Sequence, residues 1–195
     1  TVSCAMVVVI QAEKSGFAVT ASHWREGGAV PLMRTGERLS LYHSVAGNAL
    51  NKGRTVSVEN LGEERKPGPL DRLLAEAGLA TLLAVPLVSR DKATGVLLVG
   101  DRQPGGFAGE ETFVIEKIAS QISVALENAK LYEDMRNLFI STVSSLANAI
   151  DAKSPWTKGH SERVMNIAAK IAEAMGLSEL SVEQIKIAGL LHDIG

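Results

Sequence analysis

The sequence predicts an α+β protein: an antiparallel-sheet sandwich, then one long connector helix, then a short all-α segment. Three observations carry this reading. β-Branched runs separated by polar turns recur between Cys4 and Asp101. No Gly or Pro interrupts the chain from Glu110 to Asp151. Two shorter patterns of helical period follow Gly159.

The totals narrow the choices. A chain of 195 residues with 46% hydrophobic and 22% charged side chains can bury one good core or two small ones. A formal net charge of −2 leaves no basic footprint for nucleic acid. No apolar run approaches the roughly 20 residues needed to span a bilayer, so no membrane segment is expected. Cys4 is the single cysteine, which excludes an internal disulfide and fits a reducing cytoplasm. The chain starts at Thr1 without a Met and stops at Gly195, and it reads as a piece excised from a longer protein.

Taken in order, Cys4–Ala12 and Phe17–Trp24 read as a β-hairpin joined at Lys14-Ser15-Gly16, and Glu26-Gly27-Gly28 ends it. Ser44–Leu50 is a short helix stopped by Gly53, and Thr55–Val58 a short strand. Glu59–Pro69 holds two glycines, two prolines and four consecutive charges (Glu63, Glu64, Arg65, Lys66), which predicts an exposed, mobile loop. Leu70–Glu76 follows as a short helix. The strongest strands are Ala80–Val88 and Thr94–Asp101, joined at Ser89-Arg90-Asp91-Lys92. Pro86 implies an unpaired edge or a bulge at that point. The tally is about five strands with helices to one side.

From Gly109 to about Asp151 the pattern is helical. Ile115, Ile118, Ile122, Ala125, Ala129 and Tyr132 alternate steps of three and four, the seam of a two-stranded coiled coil. Met135, Phe139, Val143, Leu146 and Ile150 restart it after an extra three-residue step, so the phase slips between Tyr132 and Phe139. Roughly 40 residues at about 1.5 Å each reach about 60 Å, longer than a domain of this size is wide. A homodimer through this helix is the expectation; two ordinary amphipathic helices are the plainer alternative.

The ordered set LLAVPLVSRDKATGVLLVGDRQPGGFAGEE and ALENAKLYEDM resembles the closing hairpin and last helix of GAF domains. The resemblance covers Thr1 to Met135 and is best from Leu79 to Tyr132. It implies a GAF-like sensor over residues 1–132, with a small molecule held between the sheet and the segment Glu59–Gly78. The ligand stays unknown. The Asn-Lys-x-x-Phe motif of cyclic-nucleotide binders is missing, because Asn51-Lys52 runs on into Gly53-Arg54-Thr55. Cys4 opens the first strand and reads as a small buried hydrophobe rather than a bilin attachment point. His23 and His43 read as surface or hydrogen-bonded residues before haem ligands. Trp24 and Tyr42 fit a pocket wall or the core equally.

Beyond Ile150, Ser154-Pro155 and Gly159 mark a break. Ser161 then opens a helix with Val164, Ile167, Ala168, Ile171 and Met175 at helical spacing. Ser181 and Gln184 have the capping-box form. The helix they open places Ile185, Ala188 and His192 on one stripe, so His192 is expected to face the core. Imidazole beside the Asp193 carboxylate suits a divalent cation such as Mn, Fe or Zn, which offsets the cost of desolvating the carboxylate. His160 offers a second imidazole, and three ligands alone do not close a site.

GHSERV (Gly159–Val164) and the HD pair of HDIG resemble the opening of an HD-GYP domain, whose members hydrolyse cyclic di-GMP. The resemblance implies that residues 110–151 connect the sensor to an HD-GYP start at 152–195. It implies His160, His192 and Asp193 as metal ligands, with Asp193 the bridging catalytic carboxylate. Trp156, where some members carry a glutamate, favours a binuclear over a trinuclear centre. Two metals would then activate a water and polarise the phosphodiester for in-line attack. The remaining ligands and the GYP segment would follow Gly195, so this piece is expected to be inactive and to bind metal weakly or not at all. Alternatives of other classes are a non-catalytic ligand-sensing and dimerising module with a degenerate HD region, and a general HD nucleotide phosphohydrolase.

Overall fold

The computed structural model describes residues 6–13, 16–25, 34–64, 66–90, 92–151 and 159–193. Cys4, the Lys14-Ser15 turn, the Glu26-Gly27-Gly28 break, Asp91 and the Ser154-Pro155-Trp156 segment lie outside them. The chain divides into two compact units, Thr1–Glu127 and Asn128–Gly195.

The first unit is a six-stranded antiparallel sheet. Its strands are β1 (Met6–Glu13), β2 (Gly16–Trp24), β3 (Arg38–Leu39), β4 (Val56–Val58), β5 (Thr81–Ser89) and β6 (Lys92–Asp101), in the spatial order β3-β2-β1-β6-β5-β4. Between β3 and β4 lies α1 (Val45–Lys52), and between β4 and β5 lies α2 (Pro69–Glu76). The helix α3 (Gly109–Asp151) begins after β6.

The helices of this unit cover both faces of the sheet, not one as expected. Val8, Ile10, Leu82, Ala84, Val96 and Leu98 pack with Val45, Ala46 and Ala49 of α1 and with Leu70 and Leu74 of α2. The alternate residues Val9, Leu83, Val85, Leu87, Leu97 and Val99 pack with Ile115 and Ala119 of α3. Central strands buried on both sides need unbroken apolar runs rather than alternation, which is what VVI (Val8–Ile10), LLAV and VLLV supply. β3, two residues long, is the strand the sequence tally missed.

Pro86 sits where its missing N–H costs nothing. It pairs with Val96 of β6, while β4 reaches only as far as Ala84 on the other side. The register of β5 with β6 shifts just after it, between Leu87 and Val88. The first part of the segment, residues 59–64, is held more firmly than its composition suggests. Leu61–Glu63 forms a 3-10 turn, Leu61 is buried, and its N–H donates to the Ala80 carbonyl at 2.7 Å. Asn60 caps the turn by accepting from Gly62 N–H.

The start of α1 is tied to α2 by a buried carboxylate. Ser44 caps α1 through Gly47 N–H, and Asp71 of α2 accepts from Val45 N–H with both oxygens at 3.2 and 3.1 Å. Gly47 is required there, since a Cβ would lie 2.1 Å from the Leu41 carbonyl oxygen.

In the second unit, α4 (His160–Ala174) and α5 (Glu179–Leu191) pack together. Val143 and Ala147 of α3 form one small cluster with Leu190 and Met165, and Ala169, Ala172 and Val182 form another. Ser178, not Ser181, is the N-cap of α5, with its hydroxyl accepting from Ser181 N–H. The core stripes also differ from those expected. α4 buries Ser161, Ala169 and Ala172, leaving Ile167, Ile171 and Met175 exposed. α5 buries Val182, Gly189 and Leu190.

Burial pushes the Asp71 carboxyl above its ordinary value of 3.8, against the opposing pull of the Val45 and Gly68 amides. The folded chain therefore holds this proton more tightly than the unfolded one. The stability Asp71 contributes is full below 3.8 and is lost as pH rises through the raised value. Asp71→Asn keeps an acceptor for Val45 and removes that loss, so its melting temperature is expected to gain progressively on the parent chain as pH rises above 3.8. Asp71→Leu strands the Val45 N–H and is expected to cost about 1–3 kcal/mol, read by denaturant melts.

Candidate metal centre

His160 stands in the first turn of α4, and His192 and Asp193 follow the last turn of α5. Gly159 adopts a left-handed conformation (φ 69°) immediately before the helix, which glycine takes without steric cost, and so turns the chain into α4 at His160. The close approach of the two helices brings the groups together. A Cβ on Gly189 would lie 2.9 Å from Met165 Cα and 3.2 Å from Met165 N, so α5 meets the α4 backbone where only a hydrogen fits.

The three side chains converge. His160 Nε2 lies 3.9 Å and His192 Nε2 3.6 Å from Asp193 Oδ2. The two imidazole centroids are 5.2 Å apart at an interplanar angle of 52°. One ligand atom from each residue lies within 4.8 Å of the others, the one such group of three or more among the described residues. Two atoms each about 2.1 Å from one ion are separated by no more than about 4.2 Å, so both carboxylate distances are compatible with a shared cation after a small closure.

The tautomer of His192 is set by its neighbour. His192 Nδ1 lies 3.0 Å from the Gly189 carbonyl, which can only accept, so Nδ1 carries the proton and Nε2 presents its lone pair. A hydrogen-bonded second nitrogen of this kind orients an imidazole toward a metal. All three side chains keep substantial solvent exposure, and His192 does not face the core. It follows α5 at its C-terminal cap, where the buried stripe has ended at Leu190. That is a correction to the inward stripe of Ile185, Ala188 and His192. Gly189 is the residue that sequence reasoning passed over. Its signal was a helix-disfavouring glycine standing three residues before the histidine.

The other candidates do not assemble. His23 and His43 are exposed, and among the described residues neither belongs to a cluster of metal-ligating type. Tyr42 is exposed and stacks edgewise on His43. Trp24 is half-buried against the core shared with α1 and α2, and its Nε1 is buried with no acceptor among the described residues. No helix among the described residues is long and apolar enough to cross a membrane.

Residues 2–127 match the family model of the GAF domain, and residues 157–195 match that of the HD domain. Among curated proteins, the 3'3'-cGAMP-specific phosphodiesterase 2 of Vibrio cholerae is 35% identical over 82 residues, covering 42% of this chain and 16% of that protein. The cyclic di-GMP phosphodiesterase of Thermotoga maritima is 34% identical over 87 residues, covering 44% of this chain and 21% of that protein. The cyclic di-GMP phosphodiesterase response regulator RpfG of Xanthomonas campestris is 28% identical over 129 residues, covering 65% of this chain and 32% of that protein. The matched stretches thus span at most about a third of these relatives. Among solved structures, the GAF domain of a two-component sensor histidine kinase from Bacillus halodurans superposes with a TM-score of 0.59 at 19% identity, covering 68% of this chain and 87% of that one. The GAF domain/HD domain protein from Geobacter sulfurreducens gives 0.52 at 20% identity, covering 67% and 84%.

Gly189→Ala is expected to force α4 and α5 apart, cost about 1–3 kcal/mol through overpacking, and separate the two imidazoles. Titration with Mn2+ followed by NMR checks this. In the unmodified chain the His160 and His192 ring signals broaden together while His23 stays sharp, and in the variant the joint broadening is lost. Equal broadening of His23 in the unmodified chain would contradict the site.

Proposed function

The chain belongs to the GAF domain family, and we propose that it joins a GAF sensor to the opening of a metal-dependent HD phosphodiesterase that hydrolyses cyclic di-GMP. The observation that carries this reading is the convergence of His160, His192 and Asp193 within the stretch that matches the HD domain. Two imidazoles and a carboxylate are donors of the right hardness for Mn, Fe or a similar divalent ion. A cation held there supplies charge neutralisation at a phosphodiester and lowers the pKa of water. The chain's own residues do the rest. Gly189 orients His192 through its carbonyl and sets the spacing of α4 and α5, and Asp193 would hold the metal with the two imidazoles and serve as the catalytic carboxylate.

Three protein ligands leave a binuclear centre incomplete, so the 195-residue chain is inactive by itself and the activity belongs to the whole protein. In this reading the sensor takes residues 1–132, the connector 110–151 and the start of the HD-GYP domain 152–195. The sensor takes a small molecule, for which Trp24 Nε1, without an acceptor among the described residues, offers a hydrogen-bond donor beside the α1/α2 core. Sensor occupancy regulates the enzyme through α3, in a homodimer that resides in the cytoplasm and binds no nucleic acid.

The full-length protein with Mn or Fe is the material for the test. Hydrolysis of cyclic di-GMP is expected, with a fall of roughly 100-fold or more in His192→Ala. Running 3'3'-cGAMP in parallel decides the substrate. Preference for cGAMP would correct the dinucleotide, and the absence of turnover on either would reject the enzyme in favour of a sensing and dimerising module.

A further inference from the structure

We propose that Asn148 of α3 is a positioning residue for His160, acting through Glu162, so that α3 sets the place of one imidazole while the other is held from its own helix. The proposal rests on the reading of His160 and His192 as partners in one metal centre, and it names what keeps them opposite each other.

The two imidazoles are secured in different ways. His192 is oriented by α5 itself, since its Nδ1 bonds the Gly189 carbonyl and Gly189 lies against the α4 backbone. His160 stands at the first position of α4, where the amides of the opening turn have no helical carbonyl to donate to. A side chain just before a helix often supplies that acceptor, but the residue there is Gly159, and no side-chain cap bond forms. The backbone bond that closes the turn runs from Arg163 N–H to the Gly159 carbonyl at 3.2 Å, the long end of the amide range.

What this turn lacks at its cap it gains from α3. Ser161 is buried, and Glu162 beside it meets Asn148, whose Nδ2 donates to Glu162 Oε1 at 2.9 Å. An ionised glutamate only accepts, so the amide nitrogen of Asn148 and not its oxygen faces the carboxylate. A charged acceptor makes this bond stronger than one between neutral groups. A carboxylate in the first turn also suits the positive end of the helix. Glu162 follows His160 by two residues, so the bond acts within the turn that carries the imidazole.

The tie between α3 and α5 is of another kind. Near His192 it is Leu190, fully buried against Val143 and Ala147. Apolar packing is non-directional and tolerates a small rotation of α3, whereas a hydrogen bond weakens steeply once bent. The polar contact on this side, Arg136 with Glu183, meets α5 nine residues before His192, about 13 Å along the helix. A rotation of α3 therefore reaches His160 first and leaves His192 on the Gly189 carbonyl.

NMR of the 195-residue chain tests this without metal. The ring centroids of His160 and His192 lie 5.2 Å apart, and a ring-proton NOE between them is expected in the parent chain. In Asn148→Ala that NOE is expected to be lost, with the Arg163 amide exchanging roughly 5-fold faster, while the His192 ring nitrogen shifts and the Ala169 amide rate hold. Alanine favours a helix more than asparagine, so α3 itself is not weakened. Glu162→Gln keeps a carbonyl acceptor and is expected to behave as the parent, and Glu162→Ala as Asn148→Ala. An unchanged NOE in Asn148→Ala overturns the proposal. So does a uniform rise in exchange along α4 with altered His192 shifts, the mark of a purely structural role. The metal reading is separated by titrating the full-length protein with Mn2+, where Asn148→Ala is expected to weaken binding about 10-fold. A full-length protein that binds no Mn2+ rejects the metal reading and leaves the placement of His160 to be decided by the NOE.

Discussion

The structure depends on how α3 is shared. A helix buries one stripe of its surface well, and α3 has to bury one in each unit. In the first, Ile115 and Ala119 close the face of the sheet formed by Val9, Leu83, Val85, Leu97 and Val99, and without them five central β-strand residues would meet water. In the second, Val143 and Ala147 give Leu190 and Met165 something to pack on. The small clusters of the second unit have little else, so the geometry of α4 and α5 leans on α3. The candidate metal ligands stand at the ends of those two helices.

This arrangement explains why glycine and alanine matter more than bulk around the candidate metal centre. Two helices that bring imidazoles within a few ångström need close backbones, and close backbones need small residues. Gly189 against Met165, with Ala169 and Ala172 on the same side of α4, meets that need. The Gly189 carbonyl then fixes which nitrogen of His192 is free. One residue sets both the spacing and the hydrogen bonding of His192, while the carboxylate and imidazoles stay open to solvent.

Much of this was legible in the residues. The apolar runs of β1, β5 and β6 announced a sheet, the uninterrupted stretch after Gly109 announced α3, and GHSERV with HDIG brought together the three side chains that converge in space. What was not legible has a common cause. Helix periodicity finds large apolar side chains, yet α4 and α5 meet through Ser161, Ala169, Ala172 and Gly189, which carry almost no hydrophobic signal. Periodicity therefore points to Ile167, Ile171 and Met175 as core, and they are exposed. The same rule hid the two stripes of α3, because Ile115 and Ile118 look alike in a sequence and differ only in what each one faces. β3 was too short to show a period, and Leu61 was masked by the charges around it.

The central claim is that His160, His192 and Asp193 hold a divalent cation. Its most direct test is an anomalous-scattering map from crystals of the full-length protein grown with Mn2+. A peak within about 2.5 Å of His160 Nε2, His192 Nε2 and an Asp193 oxygen is the expected result. A metal-loaded protein whose peak lies away from all three residues would contradict the account.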